Sequence, residues 1–135
     1  QQRPIFGYGP GTYALEYAPF QEAKNLTIIS TNFGDMGNAH SEYLGALAEM
    51  GLIGLLLFIA MVAAIFYSAI QLFYNWPAED HKTRIIIFGM ILSLITYFSH
   101  AFLNNFLDTD KAAVPIWAMC SIIIVLDLER RKRIQ

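Results

Sequence analysis

The chain has 135 residues, 56% hydrophobic and only 15% charged, with a net charge of −2 and a mean hydropathy of +0.42. Soluble domains average roughly 45–50% apolar and about 25% charged, so this balance argues against an ordinary water-soluble domain. The net charge gives no support for nucleic-acid binding, and a single cysteine, Cys120, excludes an intrachain disulfide.

The chain opens at Gln1 on a polar, Pro/Gly-rich stretch, without the basic and apolar regions of a secretory signal. It reads as an internal or C-terminal piece of a larger membrane protein. Phe6 to Tyr13, "FGYGPGTY", holds three glycines and a proline, which is turn chemistry. "ALEYAPFQEAKN" suits a short aromatic turn or helix broken at Pro19. "LTIIST" is a β-branched run suited to an extended strand, and "NFGDMGN" is loop. The Asn25-Leu26-Thr27 sequon reads as a chance triplet.

A helix is expected next. Asn38 is a good N-cap, and only Gly45 interrupts good helix formers between Ala39 and Met50. Helical spacing puts His40, Tyr43, Leu44 and Leu47 on one face. His40 then stands in the first turn, where the helix dipole favours a neutral ring able to accept a proton. The alternative is an ordinary polar residue at a membrane interface. Gly51 and Gly54 allow either close packing of another helix or a bend where the chain enters the bilayer.

Three spans follow. No Asp, Glu, Lys or Arg occurs between Glu49 and Glu79, nor between Arg84 and Asp108. Runs of roughly 18 or more such residues read as membrane helices. Ala112 to Leu126 is shorter, but it spans if Lys111 and Arg130 mark its ends, with Lys111 snorkelling. The expected spans are near 51–75, 85–107 and 111–130. The fold class is therefore all-α and integral to the membrane, with three transmembrane helices preceded by a loop segment carrying a short helix. Two parts result: residues 1–50, and a membrane portion from 51 to 135 with a C-terminal tail.

Basic residues set the orientation. Lys82, Arg84, Arg130, Arg131, Lys132 and Arg133 lie on one side of the spans, and Arg3, Lys24 and Lys111 on the other. The positive-inside rule puts the first group, with the C-terminus, in the cytoplasm and residues 1–50 outside. Trp76 and Trp117 fall near the interfaces, as an aromatic belt requires. In the second span Ser93, Tyr97, His100 and Asn104 share a face. His100, at the outer end, either faces a polar cavity or bonds to a neighbouring helix.

Two motifs carry a family resemblance. His40-Ser41, nine residues, Gly51, two residues and Gly54 resemble the signature of O-antigen ligases, within the Wzy-like polymerase and ligase superfamily. Pro4-Ile5-Phe6-Gly7-Tyr8-Gly9-Pro10-Gly11 resembles the stretch that opens the family's large periplasmic loop. With the spans that follow, the resemblance covers essentially the whole chain and corresponds to the family's C-terminal portion. It implies that the family's remaining N-terminal transmembrane helices precede these residues.

The resemblance implies a multi-pass glycosyltransferase of the bacterial inner membrane, with residues 1–50 periplasmic. The implied donor is a glycan on undecaprenyl diphosphate and the acceptor a sugar hydroxyl of the lipid A core. His40 would deprotonate or orient that hydroxyl. Ser41, Gly51 and Gly54 would be the structural motif residues. No cofactor and no metal are implied. Arginines would bind the diphosphate, which suits guanidinium geometry. The outer segment offers only Arg3 and Lys24, so the remaining arginines are expected in the N-terminal part, and residues 1–135 alone are expected to be inactive. Arg3, Tyr43 and His100 are the candidate substrate contacts. Their alternatives are a solvated loop charge, an interfacial anchor and an interhelical hydrogen bond. Asp35 could orient His40 or serve its turn.

An O-antigen polymerase or a protein O-glycosyltransferase shares the superfamily and differs in acceptor. Outside it stand a non-catalytic membrane scaffold or sensor, with His40 only a helix-end residue, and a transporter or channel. A channel lacks support, because the sequence has no ring of charge and no repeated broken helix.

Overall fold

The computed structural model describes residues 3–17, 39–108 and 110–134. Among them every regular element is helical: α1 (Tyr13–Tyr17), α2 (Glu42–Asn75), α3 (His81–His100), a 3₁₀ turn at Phe106–Asp108, and α4 (Asp110–Ile134). The all-α expectation holds. Three helices are long and apolar enough to cross a membrane: α2, α3 and Lys111–Lys132 of α4. Pro19, Lys24, the "LTIIST" run, Asp35 and Asn38 lie outside the described residues.

The described chain forms two compact units. The first gathers the residues up to Ile59 with Ala101–Asn105, and the second gathers Ala60–His100 with the residues from Phe106 on.

The first unit is built around a break in α2. Gly51 adopts φ 67° and ψ −164°, a conformation foreign to a helix. Of the two uses expected for this glycine, the bend is the one found. Such a break orphans carbonyls on one side and N–H groups on the other. The Gly-rich loop supplies their partners. Leu52 N–H donates to Pro4 C=O at 2.9 Å, and Ile53 N–H to Ile5 C=O at 3.3 Å. Gly9 N–H donates to Glu49 C=O at 2.8 Å. The loop holds its own curve through Gly7 N–H to Arg3 C=O at 2.9 Å and positive φ at Gly7, Gly9 and Gly11.

Two missing side chains make this contact possible. A Cβ on Gly7 would overlap the backbone of Glu49 and lie 2.6 Å from Gly51 N. A Cβ on Gly51 would overlap the Ile5 carbonyl and lie 2.6 Å from Gly7 N. Backbone thus meets backbone between two motifs more than forty positions apart. Gly54 acts in another way. It clears the Met50 side chain, which the kink folds against it, and a Cβ there would lie 3.3 Å from Ala46 C=O. The close neighbours of Gly51 and Gly54 are the loop and α2 itself.

The second unit packs three apolar stripes. Ala69, Leu72 and Trp76 are buried on α2, as are Ile87, Met90, Ile91, Leu94 and Phe98 on α3, and Ile116, Cys120 and Ile123 on α4. Their three- and four-residue steps mark one face of each helix. Phe66 meets Phe98 edge-on at 5.9 Å, and Phe73 lies 5.8 Å from Phe88. The opposite faces leave Tyr67, Ile85, Val114 and Val125 exposed, as lipid-facing helix surfaces require.

The expected boundaries of the second span are corrected. α3 begins at His81 rather than near 85, because Asp80 caps it: Oδ1 accepts from Thr83 N–H at 3.1 Å. It ends at His100 rather than near 107. Ala101 C=O, which could have continued the ladder, accepts instead from Glu42 N–H at 3.0 Å. Asn104 therefore stands beyond the helix and does not share a helical face with Ser93, Tyr97 and His100. α4 runs slightly past both expected ends, and Asp127 is tied at 2.8 Å to Arg130 and to Arg131.

Gly7→Ala and Gly51→Ala are each expected to cost at least about 1–2 kcal/mol from the positive φ, before the loop is displaced. Gly89→Ala is the control, since a Cβ there meets nothing within 4 Å. It should leave stability unchanged or raise it by up to about 1 kcal/mol. Thermal unfolding in detergent, followed by circular dichroism, compares the three; equal shifts would mean that the loop does not seat on α2.

Candidate active site

The site is built on the first turn of α2. Ser41 is 2% exposed and is the true N-cap: its Oγ accepts from Leu44 N–H at 3.2 Å. Its carbonyl accepts from Gly45 N–H at 2.8 Å. With Glu42 N–H donating to Ala101 C=O, two N–H groups that the helix start would orphan, those of Glu42 and Leu44, find protein acceptors.

This corrects the expected position of His40. The residue does not stand in the first helical turn; it precedes the cap, and the expectation drawn from a first-turn dipole goes with it. The capping serine is three residues later than Asn38, and a cap needs non-helical backbone before the first turn. His40 also lies on no helical face with Tyr43, Leu44 and Leu47. It is the only non-glycine residue with positive φ among those described, at 44°. Histidine is among the types that enter the left-handed region more often, yet the conformation still costs free energy. Its side chain is exposed. The chain thus turns sharply at His40, leaves that residue exposed and buries Ser41.

Tyr43, in the first turn of α2, is half-buried in an aromatic group. Its ring stacks on Phe102 at 4.1 Å with a 13° tilt and meets Phe58 edge-on at 5.2 Å. Such pairs hold a ring in place beyond simple burial. Phe102 itself remains 60% exposed.

Sequence reasoning missed Glu49 as a structural group. Its Oε1 accepts from Tyr13 N–H at 3.3 Å, at the start of α1, while its carbonyl holds Gly9. A carboxylate at a helix start is favourable in itself. Thr12 Oγ1 adds a 2.6 Å bond to Gly9 C=O. The only available signal was a lone carboxylate two residues before Gly51.

Arg3 stands at the head of the Gly-rich loop with an exposed side chain, its carbonyl closing the turn to Gly7. Arg3, His40, Ser41, Tyr43, Gly51 and Gly54 all belong to the first compact unit. His100 belongs to the second and is exposed at the end of α3. Ser93 does not bond across helices; its Oγ donates to Gly89 C=O within α3 at 2.9 Å. Among the described residues no three His, Cys, Asp or Glu side chains group as metal ligands.

Neither a curated protein nor a solved structure matches the chain significantly. One family model does match, and it covers the loop, the cap and the kink together. Residues 1–59, which hold both glycine motifs and His40, match the O-antigen ligase family, as the two motifs implied.

Proposed function

We propose that the chain is the C-terminal part of a membrane glycosyltransferase that moves a glycan from undecaprenyl diphosphate to a sugar hydroxyl of the lipid A core. The observation that carries this reading is the backbone at His40. A non-glycine residue held at positive φ, exposed, and followed by a buried cap is a local cost that a helix start does not require. The family match at residues 1–59 supports reading ligase chemistry into this residue.

In this mechanism the acceptor hydroxyl oxygen attacks the anomeric carbon of the donor sugar. The bond from that carbon to the diphosphate oxygen breaks, and its electron pair leaves with the lipid diphosphate. His40 takes the hydroxyl proton as the new bond forms. Ser41 fixes the backbone from which the imidazole projects. Arg3 contributes one contact to the diphosphate, with further arginines supplied from outside residues 1–135. Tyr43 offers an aromatic surface, held by Phe102 and Phe58, for a sugar ring. His100, exposed at the end of α3, is a further substrate contact in this reading. No cofactor takes part.

In the same reading the protein lies in the bacterial inner membrane. Residues 1–50 form a periplasmic segment and 51–135 the membrane portion, with the C-terminus in the cytoplasm and membrane lipids around the helices. An O-antigen polymerase or a protein O-glycosyltransferase would share the donor and differ only in acceptor.

Two experiments test this. The first is topology. Single cysteines at Asn32 and Lys132, in a Cys120→Ala background, are expected to label from opposite sides of the membrane, Asn32 from the periplasm; labelling from the same side rejects the three-span topology. The second is activity in the whole protein, with undecaprenyl diphosphate glycan and lipid A core supplied together. His40→Ala and His40→Asn are expected to lower transfer by about 10²–10⁴, the range for loss of a general base. His40→Gly should lose the same activity while folding at least as stably, because glycine relieves the positive φ. Normal turnover in His40→Asn would remove the base role. Normal turnover in all three, with lowered stability, would leave His40 a structural residue and favour a non-catalytic scaffold.

A further inference from the structure

We propose that the second unit binds the phosphodiester head group of an anionic phospholipid in a pocket between the end of α2 and the start of α3. The pocket has a volume of ≈ 280 Å³ and is lined by Phe73, His81, Arg84, Ile85 and Phe88. It lies outside the residues matched to the ligase family, and the inference does not rest on the glycosyltransferase reading.

Arg84 carries the inference. Its Nε is buried and has no hydrogen-bond partner among the described residues. A buried donor on a charged group is costly to leave unsatisfied, and the same side chain lines the pocket. The guanidinium is held in place, with its central carbon 4.9 Å from the centroid of the Phe73 ring. The nearby carboxylate of Asp80 serves other donors: Oδ1 takes Thr83 N–H and Oδ2 takes Trp76 Nε1, each at 3.1 Å. His81, one turn before Arg84, adds a second nitrogen donor to the same lining.

The rest of the lining selects the ligand. Phe73, Ile85 and Phe88 are apolar, and Ile85 opens the charge-free run that follows Arg84. Polar groups therefore stand at the helix start, and the apolar wall continues toward the membrane-spanning stretch. That gradient matches an amphiphile. Two non-bridging phosphate oxygens suit the planar guanidinium fork, and the glycerol and first methylenes suit the phenyl and isoleucine walls. A free phosphate would satisfy Arg84 but leave the apolar wall unmatched.

The test uses the purified whole protein in mixed phosphatidylglycerol and phosphatidylcholine, with retained lipid counted by native mass spectrometry. Phosphatidylglycerol should be retained in preference. Arg84→Gln should lower its retention about tenfold, the scale of one charge-assisted hydrogen-bonded contact. Arg84→Lys should fall between, because it keeps the charge and loses the fork. Lys82→Gln, an exposed neighbour outside the lining, should change nothing. If Arg84→Gln fails to fold by circular dichroism, Phe73→Leu replaces it; that variant keeps every charge and should still lower retention severalfold. Three results would overturn the proposal: equal retention of the two lipids, unchanged phosphatidylglycerol retention in the folded variants, or full displacement of the lipid by inorganic phosphate, which would mark a free-anion site.

Discussion

The first unit depends on one backbone-to-backbone contact. A helix that enters lipid cannot leave N–H and C=O groups unpaired, because no water is present to take them. Gly51 breaks the ladder of α2 and creates that problem at the point where the long apolar run begins. The loop at Pro4 to Gly9 answers it by lending two carbonyls and one amide. Only the absence of a Cβ on both Gly7 and Gly51 lets the two stretches of backbone come so near. The loop therefore completes the helix, although it is far away in sequence.

From this contact the site geometry follows. Between the Ser41 cap and the Gly51 kink lies a short helix, residues 42–50, rising only about 14 Å. Both of its ends are fixed: by Ser41 and Ala101 at the start, and by Gly9 and Tyr13 through Glu49 at the finish. A rigid segment of set length explains why nine residues separate the His-Ser pair from the glycine. Most polar groups here hold backbone in place. Among the described residues, His40 is the one side-chain-bearing residue that accepts left-handed backbone, and it is exposed.

The second unit follows the rules of helices in lipid. Hydrophobic exclusion does not drive its helices together, since lipid tails are equally apolar; close packing of Leu72, Ile87, Leu94 and Ile123 does. Charge is confined to the helix ends and mostly satisfied there. Asp127 is held by two arginines of its own helix. Asp80 takes both a backbone amide and an indole. Arg84 departs from this pattern, with its buried Nε unmatched beside an apolar wall.

The sequence by itself determined the class of the protein and pointed to the family that its first 59 residues match. Charge-free runs are long enough to span a bilayer whatever the packing, so three apolar helices were legible from composition and spacing alone. The Gly-rich turn was legible too, because glycine and proline act on local backbone. The His-Ser-Gly-Gly spacing pointed to the family, since it survives as a linear pattern. Only the tertiary structure decided where the helices begin and end. Asn38 and Ser41 are equally good caps in isolation, and it is burial with a partner at Leu44 that makes Ser41 the cap and moves His40 out of the helix. α3 stops at His100 because Ala101 C=O bonds to Glu42 N–H, a contact between residues nearly sixty positions apart. The seating of Gly7 on Gly51 was hidden for the same reason. Each glycine announces freedom of backbone, but which two backbones will meet is set by the unpaired groups that the fold brings together.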